Sequence, residues 1–214
     1  MHGLIRGLAL PLVCVATAAC ATVGDGPAPS ASQAKSAKVT ETRAALRDLW
    51  LGHILSIRNV AVATMDKNPP ARDAAEQSVV ANAQQIAGSI EPFYGKPASD
   101  KLFTLLAGHY GAVREHLDAT AAGDAARQDA SVKHLSANAG EIATFLSGAN
   151  PYWPKDSVMS LLMAHAAHHV TQFQQLKEGD YTREAETWRG MKSHIYVVAD
   201  TLTEGLAAQF PNKF

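Results

Sequence analysis

The sequence predicts an all-α fold, with six helices paired as three repeated αα-hairpins in one helical bundle. Three observations carry this. His53, His109 and His165 stand 56 residues apart, and Asn82, Asn138 and His194 follow them at a constant offset of 29. The text around them repeats as well: Ala81-Asn82 with Ile86-Ala87 returns as Ala137-Asn138 with Ile142-Ala143, and Gly123-Asp124 returns as Gly179-Asp180. A fixed period of this length marks a repeated supersecondary unit. Second, from about residue 39 apolar residues recur at helical spacing among Ala, Leu, Glu, Gln and Arg, and no run alternates with period two. Third, Gly, Pro, Asn and Asp gather at the breaks and leave helix-length segments between them.

The first helix is expected near 40–66, where Leu46, Leu49, Trp50, Ile57 and Val60 form an apolar stripe that includes His53. It ends at Asn68-Pro69-Pro70. The second, near 72–93, carries Asn82 between Val79 and Ile86 and stops before Gly95-Lys96-Pro97. The third, near 98–121, sets His109 among Leu102, Leu106, Val113 and Leu117, and Gly123-Asp124 closes it. The fourth, near 125–147, has Asn138 beside Leu135, Ile142 and Phe145, and ends before Asn150-Pro151 and Trp153-Pro154. The fifth, near 155–177, holds His165 among Val158, Leu162, Phe173 and Leu176. After Gly179-Asp180 comes the sixth, near 182–208, with His194 toward the edge of its stripe. Ser99 and Thr182 are the cap candidates nearest two of the starts.

The offset of 29 acquires geometry from these turns. Each turn centre lies halfway between a histidine and its partner, and residues equidistant from the turn of an antiparallel pair share one height. His53 should therefore oppose Asn82, His109 oppose Asn138, and His165 oppose His194. Helical phase points them all at an otherwise aliphatic core.

The chain start reads differently. His2 and Arg6 precede an apolar run from Leu8 to Ala19, so residues 1–19 have the layout of a secretory signal, too short to stay as a membrane span. Thr17-Ala18-Ala19-Cys20 resembles the lipobox of bacterial lipoproteins, which implies lipidation of Cys20 and a membrane anchor. Thr17 replaces that motif's Leu or Val, and simple cleavage with secretion is the alternative. Residues 20–38, rich in Ala, Ser, Pro and Gly, read as a flexible tether, and residues 39–214 as the domain. The expected location is extracytoplasmic. The only cysteines are Cys14 and Cys20, which leaves the mature domain without thiolate or disulfide chemistry. A formal charge of -1 with interspersed signs argues against a nucleic-acid partner.

A belt of buried histidines admits two readings. Each imidazole can be hydrogen-bonded to the opposing Asn82 or Asn138 amide as a structural pair. Alternatively, the hairpins surround one centre, and neutral imidazoles from different helices ligate a divalent transition metal: Zn, Ni, Fe or Cu. His169 follows His165 by one turn, so the two can chelate from one helix. A third imidazole from His53 or His109 completes a three-histidine site, with His194 a further candidate ligand. Asn82, Asn138 and His116 are expected to support the ligands. His168 and His134 are expected at the surface. Arg58 and Arg114 are read as outer salt-bridge residues, Glu115 and Glu141 as exposed, and Asp200 as solvent-facing or bonded to a neighbouring helix. Met159 and Met163 fill the core, while Met191, one turn before His194, keeps a soft-metal site open. Phe93, Tyr94, Tyr152, Trp153 and Phe210 are expected to plug one end of the bundle.

Two resemblances bear on this. The strings Trp50…His53…Arg58-Asn59, Phe93-Tyr94-Gly95, Ala149-Asn150-Pro151-Tyr152-Trp153-Pro154 and Ala199-Asp200…Leu202-Thr203-Glu204-Gly205 together resemble a family of small bacterial all-helical proteins without settled activity. His165-Ala166-Ala167-His168-His169-Val170-Thr171-Gln172 is similar to the His-x2-His-His-x2-Gln segment of DinB/YfiT-like metal-binding bundles. That likeness implies His165, His169 and, as the third ligand, His53 around a divalent metal, and a metal-dependent enzyme such as a thiol transferase. Three functions follow as expectations. They are an anchored metal-binding, storage or sensing protein with a possible small-molecule ligand, a metal-dependent enzyme, and a structural lipoprotein with hydrogen-bonded core histidines.

Overall fold

The structure, a computed structural model, describes residues 31–214. The signal segment, Cys20 and the first part of the tether lie outside the described residues. Among those described, the fold is all-α: α1 (Ala31–Met65), α2 (Pro69–Ser89), a single turn α3 (Glu91–Tyr94), α4 (Lys96–Ala122), α5 (Ala125–Ala149), α6 (Lys155–Glu178) and α7 (Tyr181–Gln209), then a 3-10 turn at Pro211–Lys213. No helix among them is long and apolar enough to cross a membrane.

Two boundaries differ from the sequence reading. The expected tether at 31–38 is helical, because this stretch is Ala, Ser, Gln and Lys without Pro or Gly and so extends α1 backward. The helix expected over 72–93 starts at Pro69 and breaks at Ile90. Pro69 and Pro70 fit the first turn, where a missing N–H is harmless, and Pro92 cannot continue a helix begun so far upstream.

The hairpin turns share one chemistry at positions 56 apart. Lys67, Gly123 and Gly179 take left-handed backbone with φ of 53, 73 and 70°. The next residue, Asn68, Asp124 or Asp180, caps the following helix by accepting from the N–H three residues on. Its own N–H returns to the carbonyl five residues back, at Ala63, Ala119 or Gln175. The expected caps Ser99 and Thr182 lie within their helices instead, because Gly95 and Asp180 already hold the cap positions.

The hairpins α1–α2, α4–α5 and α6–α7 close into a ring. Each second helix packs on its own partner and on the first helix of another hairpin, and α1, α4 and α6 meet one another. Along these three inner helices the apolar core divides in two. A larger cluster includes Trp50, Ile54, Leu102, Leu106, Val158 and Leu162, and a smaller one nearer the hairpin turns includes Ile57, Val60, Val113, Leu117, Phe173 and Leu176. On α4 and α6 the histidine falls between the two clusters, and on α1 His53 lies within the larger one, between Trp50 and Ile54. An aromatic plug closes the far end of the larger cluster: Phe93 packs on Phe210 and Phe214, and Tyr94 on Trp153 and Phe210, at centroid separations of 5.2–6.1 Å. Tyr94 Oη donates to Gln209 at 2.6 Å and accepts from Asn150 at 3.0 Å. Tyr152 is exposed and takes no part.

Candidate metal centre

The inner helices bring His53, His109 and His165 together in one buried layer. A ring nitrogen from each lies within 4.8 Å of the other two. His165 Nε2 stands 3.4 Å from His53 Nε2 and 3.2 Å from His169 Nε2. Metal–imidazole bonds of about 2.0–2.1 Å at tetrahedral angles put ligand nitrogens roughly 3.4 Å apart. The closest pairs are already at that spacing, and no pair of the trio has more than about 1.4 Å to close to reach it. His169 joins the layer through His165, with ring centroids 4.5 Å apart.

These rings are buried without a counter-charge. Burial, with the neighbouring His109 ring, holds His53 down to about 3. His109 falls to about 4 for the same primary reason. The Asn138 side chain opposes that shift, although Asn138 Oδ1 and His109 Nδ1 each lack a hydrogen-bond partner of good geometry. Burial first, then the other imidazoles, pushes His165 and His169 well below the usual histidine range. All four are therefore neutral at pH 7, the form that offers a lone pair to a metal.

The partners on the outer helices are not where the paired reading places them. Asn82 Nδ2 donates to the Leu49 carbonyl at 2.9 Å, Asn138 Nδ2 to Leu105 at 3.1 Å, and His194 Nε2 to Leu161 at 2.9 Å. Each acceptor lies four residues before the hairpin's histidine, so all three side chains tie the outer helix to the backbone of the inner one. A helix carbonyl can take this second donor beside its own N–H. Close approach also explains two glycines: a Cβ on Gly52 would meet Asn82 Nδ2 at 3.1 Å, and one on Gly108 would meet Asn138 Nδ2 at 3.3 Å.

His194, a candidate ligand, anchors α7 to the α6 backbone through Nε2. Its Nε2 must carry a proton to donate to a carbonyl, which removes that lone pair from metal chemistry. His116 has partners of its own. Its Nδ1 pairs with Ser131 Oγ at 2.9 Å, and its ring stacks on Phe173 in the smaller core, away from the three converging nitrogens. His134 is exposed and pairs with Glu115, while His168 is half-buried against His194. Asp200 binds Arg47 through both oxygens, the neighbouring-helix alternative.

Sequence reasoning missed a second buried polar group. Arg58 is not an outer-face residue: it grips Glu184 with two bonds of 2.7 and 2.9 Å, and Gln172 donates to the same carboxylate at 2.8 Å. Glu184 sits in the first turn of α7, where a carboxylate ordinarily serves the helix dipole, so nothing in its position signalled burial. The Arg58 guanidinium holds its carboxyl below the usual range.

On the plug side the three histidines floor a cavity of about 60 Å³ walled by Trp50, Leu106, Ile142, Trp153 and Val198. No carboxylate lines it among the described residues. Fold and site together define an all-α bundle with a buried imidazole layer beneath an apolar cavity. Compared with known protein families, curated proteins and solved structures, the chain matches none.

Proposed function

We propose that His53, His109 and His165 hold one divalent transition metal, with His169 beside them, and that the protein binds, stores or senses metal outside the cytoplasm. The observation that carries this is the convergence of three neutral ring nitrogens within 4.8 Å in a buried layer. A purely hydrogen-bonded layer is a poor alternative. An imidazole nitrogen has one in-plane site, a proton or a lone pair, yet His165 Nε2 faces two other Nε2 atoms. A cation would use the converging lone pairs at once.

The DinB-like segment supports the same chemistry through His165, His169 and His53, while the compact trio favours His109 as the third ligand. The lipobox-like start, with Cys20 as anchor, supports an extracytoplasmic site. A cavity lining without a carboxylate gives a bound water no side-chain base there, which favours metal binding over a hydrolytic enzyme.

The test is metal analysis of tag-free protein. One metal per chain is expected, lost in His165→Ala and kept in His194→Ala. Excess metal at a hundred times Kd should stabilise the fold by about 2.7 kcal/mol. Protein that holds no metal and whose Tm ignores Zn²⁺, Ni²⁺, Fe²⁺ and Cu²⁺ contradicts the reading.

A further inference from the structure

We infer that the cavity above the histidine layer binds a short aliphatic monocarboxylate, whose carboxylate oxygen ligates the metal and whose hydrocarbon tail fills the apolar space. This rests on the metal reading and deepens it. Floor and walls of the cavity differ in what they ask of a ligand.

The floor asks for an anion. His53, His109 and His165 all reach the cavity, and neutral imidazoles would hold a divalent ion without offsetting its charge. No Asp or Glu lines the cavity among the described residues. The one buried carboxylate among them, Glu184, is already matched by Arg58. An uncompensated charge in a protein interior is costly, so a dication here favours an anion brought from outside. Three protein ligands leave the fourth position of a tetrahedral site open. His169 is absent from the lining, so the cavity side of the ion stays free of it. A carboxylate fills that position and offsets part of the charge, since it is ionised at neutral pH and ligates through oxygen.

The walls ask for hydrocarbon. They are almost wholly apolar, with Leu106, Ile142, Val158 and Val198 among them. Ser89, Thr201 and Trp153 donate to backbone carbonyls, and the Trp50 N–H is buried without an acceptor. No Lys or Arg stands in the lining to receive a second negative charge. Chloride or hydroxide would offset the ion but leave the remaining space empty, or filled by waters with few polar partners. An aliphatic tail replaces that space with contact. The cavity gives about 60 Å³ to the centres of water-sized bodies. One water takes about 10–15 Å³ of such space, so roughly four to six heavy atoms fit, the range from acetate to butyrate. Binding is reversible coordination, in which no bond of the carboxylate breaks.

The experiment uses the full chain loaded with Co²⁺ and titrated with acetate, propionate, butyrate and octanoate, with the visible absorption of the cobalt as readout. Should Co²⁺ not bind, the form loaded with Zn²⁺, Ni²⁺, Fe²⁺ or Cu²⁺ is titrated by calorimetry instead. Each methylene added up to butyrate should tighten binding roughly fourfold, the equivalent of about 0.8 kcal/mol per buried CH₂. Octanoate should bind no tighter than butyrate. Butyramide, the uncharged isostere, should bind at least roughly tenfold more weakly. Leu202→Phe should keep the metal and acetate binding but lose the methylene gain, and Val198→Phe replaces it should that variant not fold. A metal-loaded chain that binds no carboxylate, or binds them indifferently to tail length, overturns the carboxylate site alone. So does chloride, butyramide or octanoate binding more tightly than butyrate, or an unchanged methylene gain in the filled variant. A chain that takes up none of these metals sinks the metal reading and this one together.

Discussion

Among the buried polar groups of this bundle, two anchored on α6 are completed in opposite ways. Arg58, Gln172 and Glu184 form a closed set: the carboxylate takes three charge-assisted bonds, and its charge is balanced inside the group. The imidazole layer of His53, His109, His165 and His169 is open. It has no acid and no counter-charge, and its nitrogens face one another. A group completed by its own residues serves the fold, whereas the imidazole layer is left incomplete by the residues around it.

The contrast can be broken most forcefully at the closed group. Glu184→Ala should leave the Arg58 guanidinium facing a protein interior without its partner. Removing one member of a buried pair costs about 3–5 kcal/mol, and partial exposure of Arg58 places this case near 3. Urea unfolding of the metal-free protein measures it. A loss under about 1 kcal/mol would mean that the pair is no more than a surface contact.

Acid should separate the groups next. Folded His53 and His109 stay neutral down to about 3 and 4, whereas in the unfolded chain they take up protons near 6.5. The unfolded state therefore binds more protons below pH 6.5, and stability falls as pH drops through that window toward the folded values. Between pH 6.5 and 5.5 these two groups together should remove about 2 kcal/mol from the metal-free protein. Glu184, held below the ordinary carboxylate range, contributes nothing in that window. Denaturant midpoints across pH test this, and a flat profile from 6.5 to 5 would show that the imidazoles are not desolvated.

The smallest effect is expected at the open group itself. His169→Leu removes a buried ring whose Nδ1 has no partner and restores similar volume, so the metal-free protein should shift by less than about 1 kcal/mol. A loss of 3 kcal/mol or more in thermal unfolding would show His169 to be a structural partner.

What the sequence disclosed follows the same divide. The turns were legible because Gly123, Gly179 and the capping Asn68, Asp124 and Asp180 each answer a local backbone requirement. His53, His109 and His165 were legible through spacing, and His169 through its helical turn from His165. His194 performs the Asn82 and Asn138 task with a side chain that also resembles a ligand, and spacing does not separate the two roles. Glu184 and Arg58 were hidden, since their partnership spans 126 residues and each alone reads as an ordinary surface charge. Trp50 was visible only as an apolar residue. Its unsatisfied N–H is a property of packing that no spacing encodes.

X-ray absorption on metal-loaded, tag-free protein reaches the central claim most directly, because it counts imidazoles around the ion. Three histidine nitrogens at about 2.0–2.1 Å, falling to two in His109→Ala, are the expected result. A shell of oxygens alone, or an imidazole count untouched by that substitution, would contradict the account.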